Sequence, residues 1–249
     1  MSDVYAALIL FVTGSLAGFI NVMAGGGSSL TLPVLIFLGL DSATANGTNR
    51  IGVLFQNVSA VYSFKREKYN HFRTSFKLAL WTLPGSILGA ILAIDIADEL
   101  FNKILGIIMI GIIFTILFPL KKKKYEDHPG NEIHWGGYIS MFFAGFYGGF
   151  IQVGVGFLLM AALEYSMKIN LIYVNMHKVF IVMLNMLPAL LIFALSGHVN
   201  WKLGFMLALG NSFGGWFSAK YSVKKGEKLI RIVLIIAILI MSGKLLEVF

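Results

Sequence analysis

Apolar runs long enough to cross a lipid bilayer recur along the whole of this chain, and no other feature restricts the fold as strongly. They lie near residues 4–24, 29–40, 43–64, 75–96 and 101–120 and, after a polar break, near 135–153, 156–167, 172–195, 201–221 and 229–248. A spanning helix needs about 20 apolar residues to cover a ~30 Å hydrocarbon core. The 249 residues are therefore filled by membrane segments, with no room for a soluble domain. Only 13% of residues are charged, against about 25% in soluble domains, so no water-facing surface could be built. Cys is 0, which removes disulfide frameworks. The expected fold class is an all-α polytopic membrane protein.

The ten runs form two sets of five. In each set the second run has only about 12 residues, too few to cross the core as a straight helix. Each half therefore opens with a short broken or re-entrant pair. The domain plan is a first transmembrane half-repeat over 1–120, a cytoplasmic basic loop over 121–134, and a second half over 135–249. Matches recur at offsets of about 125 to 129: Ala17-Gly18-Phe19 with Ala144-Gly145-Phe146, Asn57 with Asn185, and Gly85 and Gly89 with Gly210 and Gly214. Basic loops face the cytoplasm. In the first set the basic loop (Lys65, Arg66, Lys68, Arg73, Lys77) follows the third run. In the second set (Lys220, Lys224, Lys225, Lys228, Arg231) it follows the fourth. The halves are thus expected to be inserted in opposite directions, as an inverted repeat, with both termini non-cytoplasmic. The opening Met1-Ser2-Asp3 has no basic region of a signal peptide, so the first run is expected to stay in place. Net charge +8 is read as loops against an anionic lipid leaflet, with no nucleic acid as partner.

Inverted repeats recur in secondary transporters, whose sites lie near the midplane where interrupted segments meet. The first interruption contains Asn21 and then Gly25-Gly26-Gly27-Ser28-Ser29; its counterpart is Gln152-Val153-Gly154-Val155-Gly156. Glycines let backbone amides converge on a ligand, and Ser28 and Ser29 stand where a new helix begins, a position suited to an anion. A plain serine-capped turn is the competing reading. The third runs open with Thr48-Asn49-Arg50 and with His177-Lys178, which places a cation at the same point of both halves. Charges at membrane depth usually face a substrate path. Arg50 stands about 22 Å from Lys65 along a helix, close enough to one edge to snorkel, so the spacing leaves both orientations open. Asn57 either lines a cavity or bonds between helices. His177 is the candidate proton carrier, with an ordinary helix-start histidine as the alternative. The Gly14/Gly18, Gly85/Gly89, Gly145/Gly149 and Gly210/Gly214 pairs have the spacing of close helix packing.

The stretch from Ala17-Gly18-Phe19 through Gly25-Gly26-Gly27-Ser28-Ser29 to Pro33 resembles the opening signature of the TauE/SafE family, the sulfite and organosulfonate exporters. Asn46-Gly47-Thr48-Asn49-Arg50 is similar to that family's next motif, and Ala144-Gly145-Phe146 with Gly154-Val155-Gly156 to its repeat. Asn175-Met176-His177-Lys178 departs from the family's Gly-Thr pattern. The resemblance covers about residues 5–248. It implies export of a small sulfur-containing anion across a bacterial inner membrane. Together the readings give a secondary-active anion transporter working by alternating access, not an enzyme, without cofactor or metal. A homodimer is left open. With no Walker A pattern, ATP is not the direct energy source. The alternatives are an anion channel or a subunit of a larger complex. More distant is an intramembrane hydrolase built on Ser28 or Ser29 with His177, for which no Gly-x-Ser-x-Gly elbow exists.

Overall fold

The computed structural model describes residues 3–97, 99–101, 103, 104, 107 and 133–245. Most of the fifth run (101–120) and of the basic loop (121–134) lies outside the described residues. The chain forms α1 (Asp3–Met23), α2 (Ser28–Phe37), α3 (Ser42–Arg66) and α4 (Phe72–Ile94) in the first half. The second half has α5 (Trp135–Phe150), α6 (Val155–Met167), α7 (Leu171–Leu195) and α8 (Trp201–Leu245). Among the described residues, α1, α4 and α7 are long and apolar enough to cross a membrane, whereas α2 and α6 are short apolar helices. Large apolar side chains such as Leu8, Leu16, Phe143 and Leu191 are exposed on the outside. In water such a surface would not persist; against lipid it is the expected exterior. α3 is as long as α7 but rich in Ser, Thr and Asn, and one long face of it is buried.

Start signals follow from capping chemistry. Asp41 accepts from the Thr44 amide at 2.8 Å at the head of α3. Asn170 accepts from the amides of Ile172 (3.0 Å) and Tyr173 (3.1 Å) at the head of α7. Each cap satisfies orphan donors of a helix start.

Pairs of contacts fix the helix directions. Asp3 pairs with Lys202, Gly14 packs on Leu207, Gly18 on Asn211, and Ser218 donates to the Phe19 carbonyl, so α1 and α8 run parallel. α3 runs with them, because Ser59 donates to Ser212 O and Ser63 to Trp216 O. In the same way Gly85 and Gly89 pack on Phe142 and Phe146, while Ser75 bonds His177 and Thr82 bonds Asn185, so α4, α5 and α7 are parallel. α3 and α7 are antiparallel: the amide of Asn200, beyond the end of α7, donates to Thr48, while Tyr69, beyond the end of α3, packs on Tyr173. Since α1 and α3 point the same way, α2 must carry the chain back to the end from which it came. Each opening pair therefore dips into the bundle and returns.

The four glycine pairs are helix-packing contacts, as their spacing implies. A Cβ on Gly89 would lie 2.0 Å from Phe146 O, and one on Gly214 2.0 Å from Ser15 O. These contacts match Gly14 and Gly18 with Gly145 and Gly149, one turn away from the match of Gly18 with Gly145 read in the sequence. The cause is a length difference: α1 runs five residues past Gly18, whereas α5 ends one residue past Gly149.

The tenth run does not form a separate helix. α8 continues unbroken for 45 residues through Lys224-Lys225-Gly226-Glu227-Lys228, where the sequence predicts a basic loop between two segments. Lys and Glu are good helix formers, and one glycine costs only about 1 kcal/mol in a helix. With no proline there, the polar stretch does not stop the helix.

Candidate functional site: two helix breaks capped by buried cations

The two breaks meet. Gly25 has φ +96°, and a Cβ there would lie 2.3 Å from the Gly156 carbonyl carbon; the reverse contact, from Gly156 to the Gly25 Cα, is also 2.3 Å. No side chain fits at either position. Gly154, with φ +78°, opens α6 in the same left-handed conformation. Gly27 is packed against the Ala17 carbonyl and the Asn21 side chain. Ser28 and Ser29 begin α2 at the buried end of the first hairpin, and the Ser29 hydroxyl donates to Gly26 O at 2.7 Å.

A broken helix leaves its last carbonyls without partners. These ends lie in the interior, where an unsatisfied polar group costs several kcal/mol in a lipid setting. Each half solves the problem for the other. From α3, Arg50 donates to Gly148 O (3.1 Å) and Gly149 O, and Asn46 donates to Phe150 O at 2.9 Å. From α7, Lys178 donates to Asn21 O (3.2 Å) and Val22 O (2.7 Å), and Asn175 donates to Met23 O at 3.3 Å. A cation also complements the negative end of the helix dipole. Arg50 is fully buried and Lys178 is 2% exposed, so both point inward and neither snorkels. The Arg50 guanidinium additionally lies 4.5 Å from the centre of the Phe193 ring. Among the described residues the ion pairs are Lys103 with Glu99 and Lys202 with Asp3, all well exposed. Neither buried cation is in an ion pair there.

The other predicted residues fall into two groups. Asn21 donates to Gln56 at 3.3 Å, Asn57 to Val53 O of its own helix at 2.7 Å, and Thr48 accepts from the Asn200 amide at 2.8 Å. His177 is buried with its Nδ1 2.8 Å from the Ser75 hydroxyl. In contrast Ser28 Oγ, Asn49 Nδ2, Arg50 Nε and both amide atoms of Gln152 are buried with no hydrogen-bond partner among the described residues. Asn46 Oδ1 shares that state.

Sequence reasoning did not single out Asn46 and Asn175 as partners of the helix ends, nor Thr31, which donates to Asn49 Oδ1 at 2.7 Å. A signal existed: an asparagine precedes each buried cation by about one helical turn, at Asn46/Arg50 and Asn175/Lys178. Ser75 had none, because its partner lies 102 residues away.

Apolar helices with apolar outer faces around a buried polar centre define a polytopic integral membrane protein. The family profile described as "Sulfite exporter TauE/SafE" matches residues 10–245, and the chain belongs to that family. It is 30% identical over 237 residues to a "Probable membrane transporter protein" of Haemophilus influenzae, covering 95% of this chain and 93% of that one. It is 31% identical over 240 residues to the "Probable membrane transporter protein YfcA" of Escherichia coli (96% and 88% covered). To the "Probable membrane transporter protein YunE" of Bacillus subtilis it is 24% identical over 264 residues (96% and 97% covered). No solved structure matches the chain.

Proposed function

We propose that this protein is a secondary-active transporter that exports a small sulfur-containing anion, sulfite or an organosulfonate, by alternating access in a bacterial inner membrane. The single observation that carries the anion reading is the meeting of two helix breaks beside two buried cations with no carboxylate partner among the described residues. An anion supplies the missing counter-charge. The segments 25–29 and 152–156 cradle it, Arg50 and Lys178 offset its charge, and Asn49 and Ser28 donate to it. Asn21, Thr48 and Asn57 line the site and exchange their present partners as the halves move. His177 is the candidate for proton coupling. The sulfur chemistry rests on the family description.

The halves are proposed to be an inverted repeat. Support comes from the exchange of partners: α1 packs on α8 as α5 packs on α4, while α3 and α7 run antiparallel at the centre. Rocking one half against the other would separate Gly25 from Gly156 and open the site to one side at a time. On this reading the N-terminus faces away from the cytoplasm, the unbroken α8 carries the chain to the opposite end in place of the expected return of the C-terminus to the same side, and the chain acts on its substrate without chemical change.

The test is a binding titration of the purified protein with sulfite, sulfate, a sulfoacetate-type sulfonate and chloride, using wild type and Arg50→Ala side by side. Saturable binding of a sulfur anion that is lost in a monodisperse Arg50→Ala protein is the expected result. Undiminished binding in that variant refutes the site.

A further inference from the structure

The two cation junctions look alike in the sequence, yet their hydrogen bonding differs. At the Lys178 junction the ammonium has three N–H groups and four acceptors in reach: Asn21 O, Val22 O, Asn175 Oδ1 at 2.8 Å and Met160 Sδ at 3.5 Å. Asn175 donates to Met23 O and accepts from Lys178, so both ends of its amide are used. At the Arg50 junction Asn46 donates to Phe150 O, but its oxygen has no partner among the described residues, and Arg50 keeps a free Nε–H.

Among the described residues the buried unpartnered side-chain atoms, apart from Asn211 Oδ1 on α8 beside Gly14, belong to residues around the Arg50 junction. Asn46, Asn49 and Arg50 share a face of α3 at spacings of three and four. Asn46 and Arg50 reach the end of α5 at 148–150, and Gln152 follows two residues later. On the other side Asn49 accepts from Thr31, whose hydroxyl is also 3.5 Å from Ser28 O. Ser28, Asn46, Asn49, Arg50 and Gln152 are each 2% exposed or less. Leaving so many polar atoms unmet in an interior is costly, so this is where a ligand gains most.

Granted the anion reading above, we infer that the anion is held off the centre, at the Arg50 junction. We further infer that the site selects a monoanion bringing its own O–H or N–H donor. Arg50 Nε, Asn49 Nδ2, Gln152 Nε2 and the Ser28 hydroxyl donate to the oxyanion. Gln152 Oε1 and Asn46 Oδ1 are acceptors that a fully deprotonated oxyanion cannot satisfy, whereas a hydrogen-bearing oxyanion or a hydroxy-substituted acid can. Lys178 contributes charge from a distance and serves as a helix clasp.

The discriminating experiment compares ligands differing by one hydroxyl. Full-length protein in lipid nanodiscs is titrated with 2-hydroxyethanesulfonate against ethanesulfonate, and with glycolate against acetate. The wild type should prefer the hydroxylated member of a pair by about tenfold or more, the scale of one hydrogen bond to a buried acceptor. In Gln152→Met, checked for an unchanged melting profile, both members should bind more weakly, because a donor is lost, and the ratio should fall severalfold, with Asn46 Oδ1 left as the remaining acceptor. Equal affinity in the wild type overturns this inference and leaves the anion reading standing, and so does a preference that is undiminished in Gln152→Met. If no member of either pair binds to folded protein, both are lost together.

Discussion

The Arg50 and Lys178 junctions perform the same structural task and differ in what is left over. Both cap the buried end of the other half's first helix with a cation and an asparagine. At Lys178 the set closes on itself. At Arg50 it leaves donors and acceptors open, and the adjoining Gln152 has neither amide atom bonded among the described residues. The lesson is that a repeated cation is not by itself a repeated ligand site. The two junctions are alike as structural clasps, and differences in side-chain length and neighbours decide which has hydrogen-bonding atoms left over.

The comparison is broken most severely at the point where the junctions touch. Gly25→Ala should destabilise the protein by about 3 kcal/mol or more, adding left-handed strain to a backbone clash, as read by thermal unfolding in detergent. Gly39→Ala is the control. Its φ is +95° with nothing within 4 Å of a new Cβ, so only the strain of about 1–2 kcal/mol applies. Equal losses at the two positions would show that contact between the breaks contributes nothing.

The cations come next. Arg50→Met and Lys178→Met should each cost about 2–4 kcal/mol of stability, because each uncaps two buried carbonyls. Their effects on binding should part: about a hundredfold loss of anion affinity for Arg50→Met and about tenfold for Lys178→Met. Equal losses of affinity would make the site symmetric.

A smaller effect is expected at His177. His177→Gln should leave anion affinity within about threefold and remove the dependence of flux on a pH gradient, measured in proteoliposomes. A gradient dependence that survives assigns coupling to another group.

The least effect concerns the two helix caps, Asp41 on α3 and Asn170 on α7. Burial opposes the charge of Asp41, but donation from the Thr44 amide and hydroxyl, with His198 nearby, holds its carboxyl below the usual carboxylate range. A depressed folded-state pKa contributes stability above the unfolded-state value, and that stability fades as pH falls through the folded-state one. Asp41→Asn should change stability at neutral pH by less than about 0.5 kcal/mol, since Asn caps as well. It should also flatten the acid limb of the unfolding profile.

Much of what makes up the two junctions is legible in the sequence, for a physical reason. A chain in lipid cannot hide a charge or a broken helix cheaply, so Arg50, Lys178 and the glycine runs stand out against an apolar background. The same reasoning explains what was misread. Apolar spacing cannot register where two helices touch, so the match between α1 and α5 slipped by one turn. Nor does a polar stretch without proline mark a helix end, and α8 runs through the basic loop expected near Lys224. Hydrogen-bond partners such as Ser75 with His177 lie about a hundred residues apart, beyond any local pattern.

The sequence alone determined that this chain is a helical membrane protein with two interrupted entries and a cation near the start of each third apolar run, because hydropathy and backbone freedom are local properties of residue types. Tertiary structure decided which way those cations turn, that the opening hairpins return to their own end, and that one junction is saturated while the other is not. Those outcomes depend on which carbonyls and amides the fold brings within about 3 Å of each side chain, and such proximity is a property of packing that no local pattern encodes.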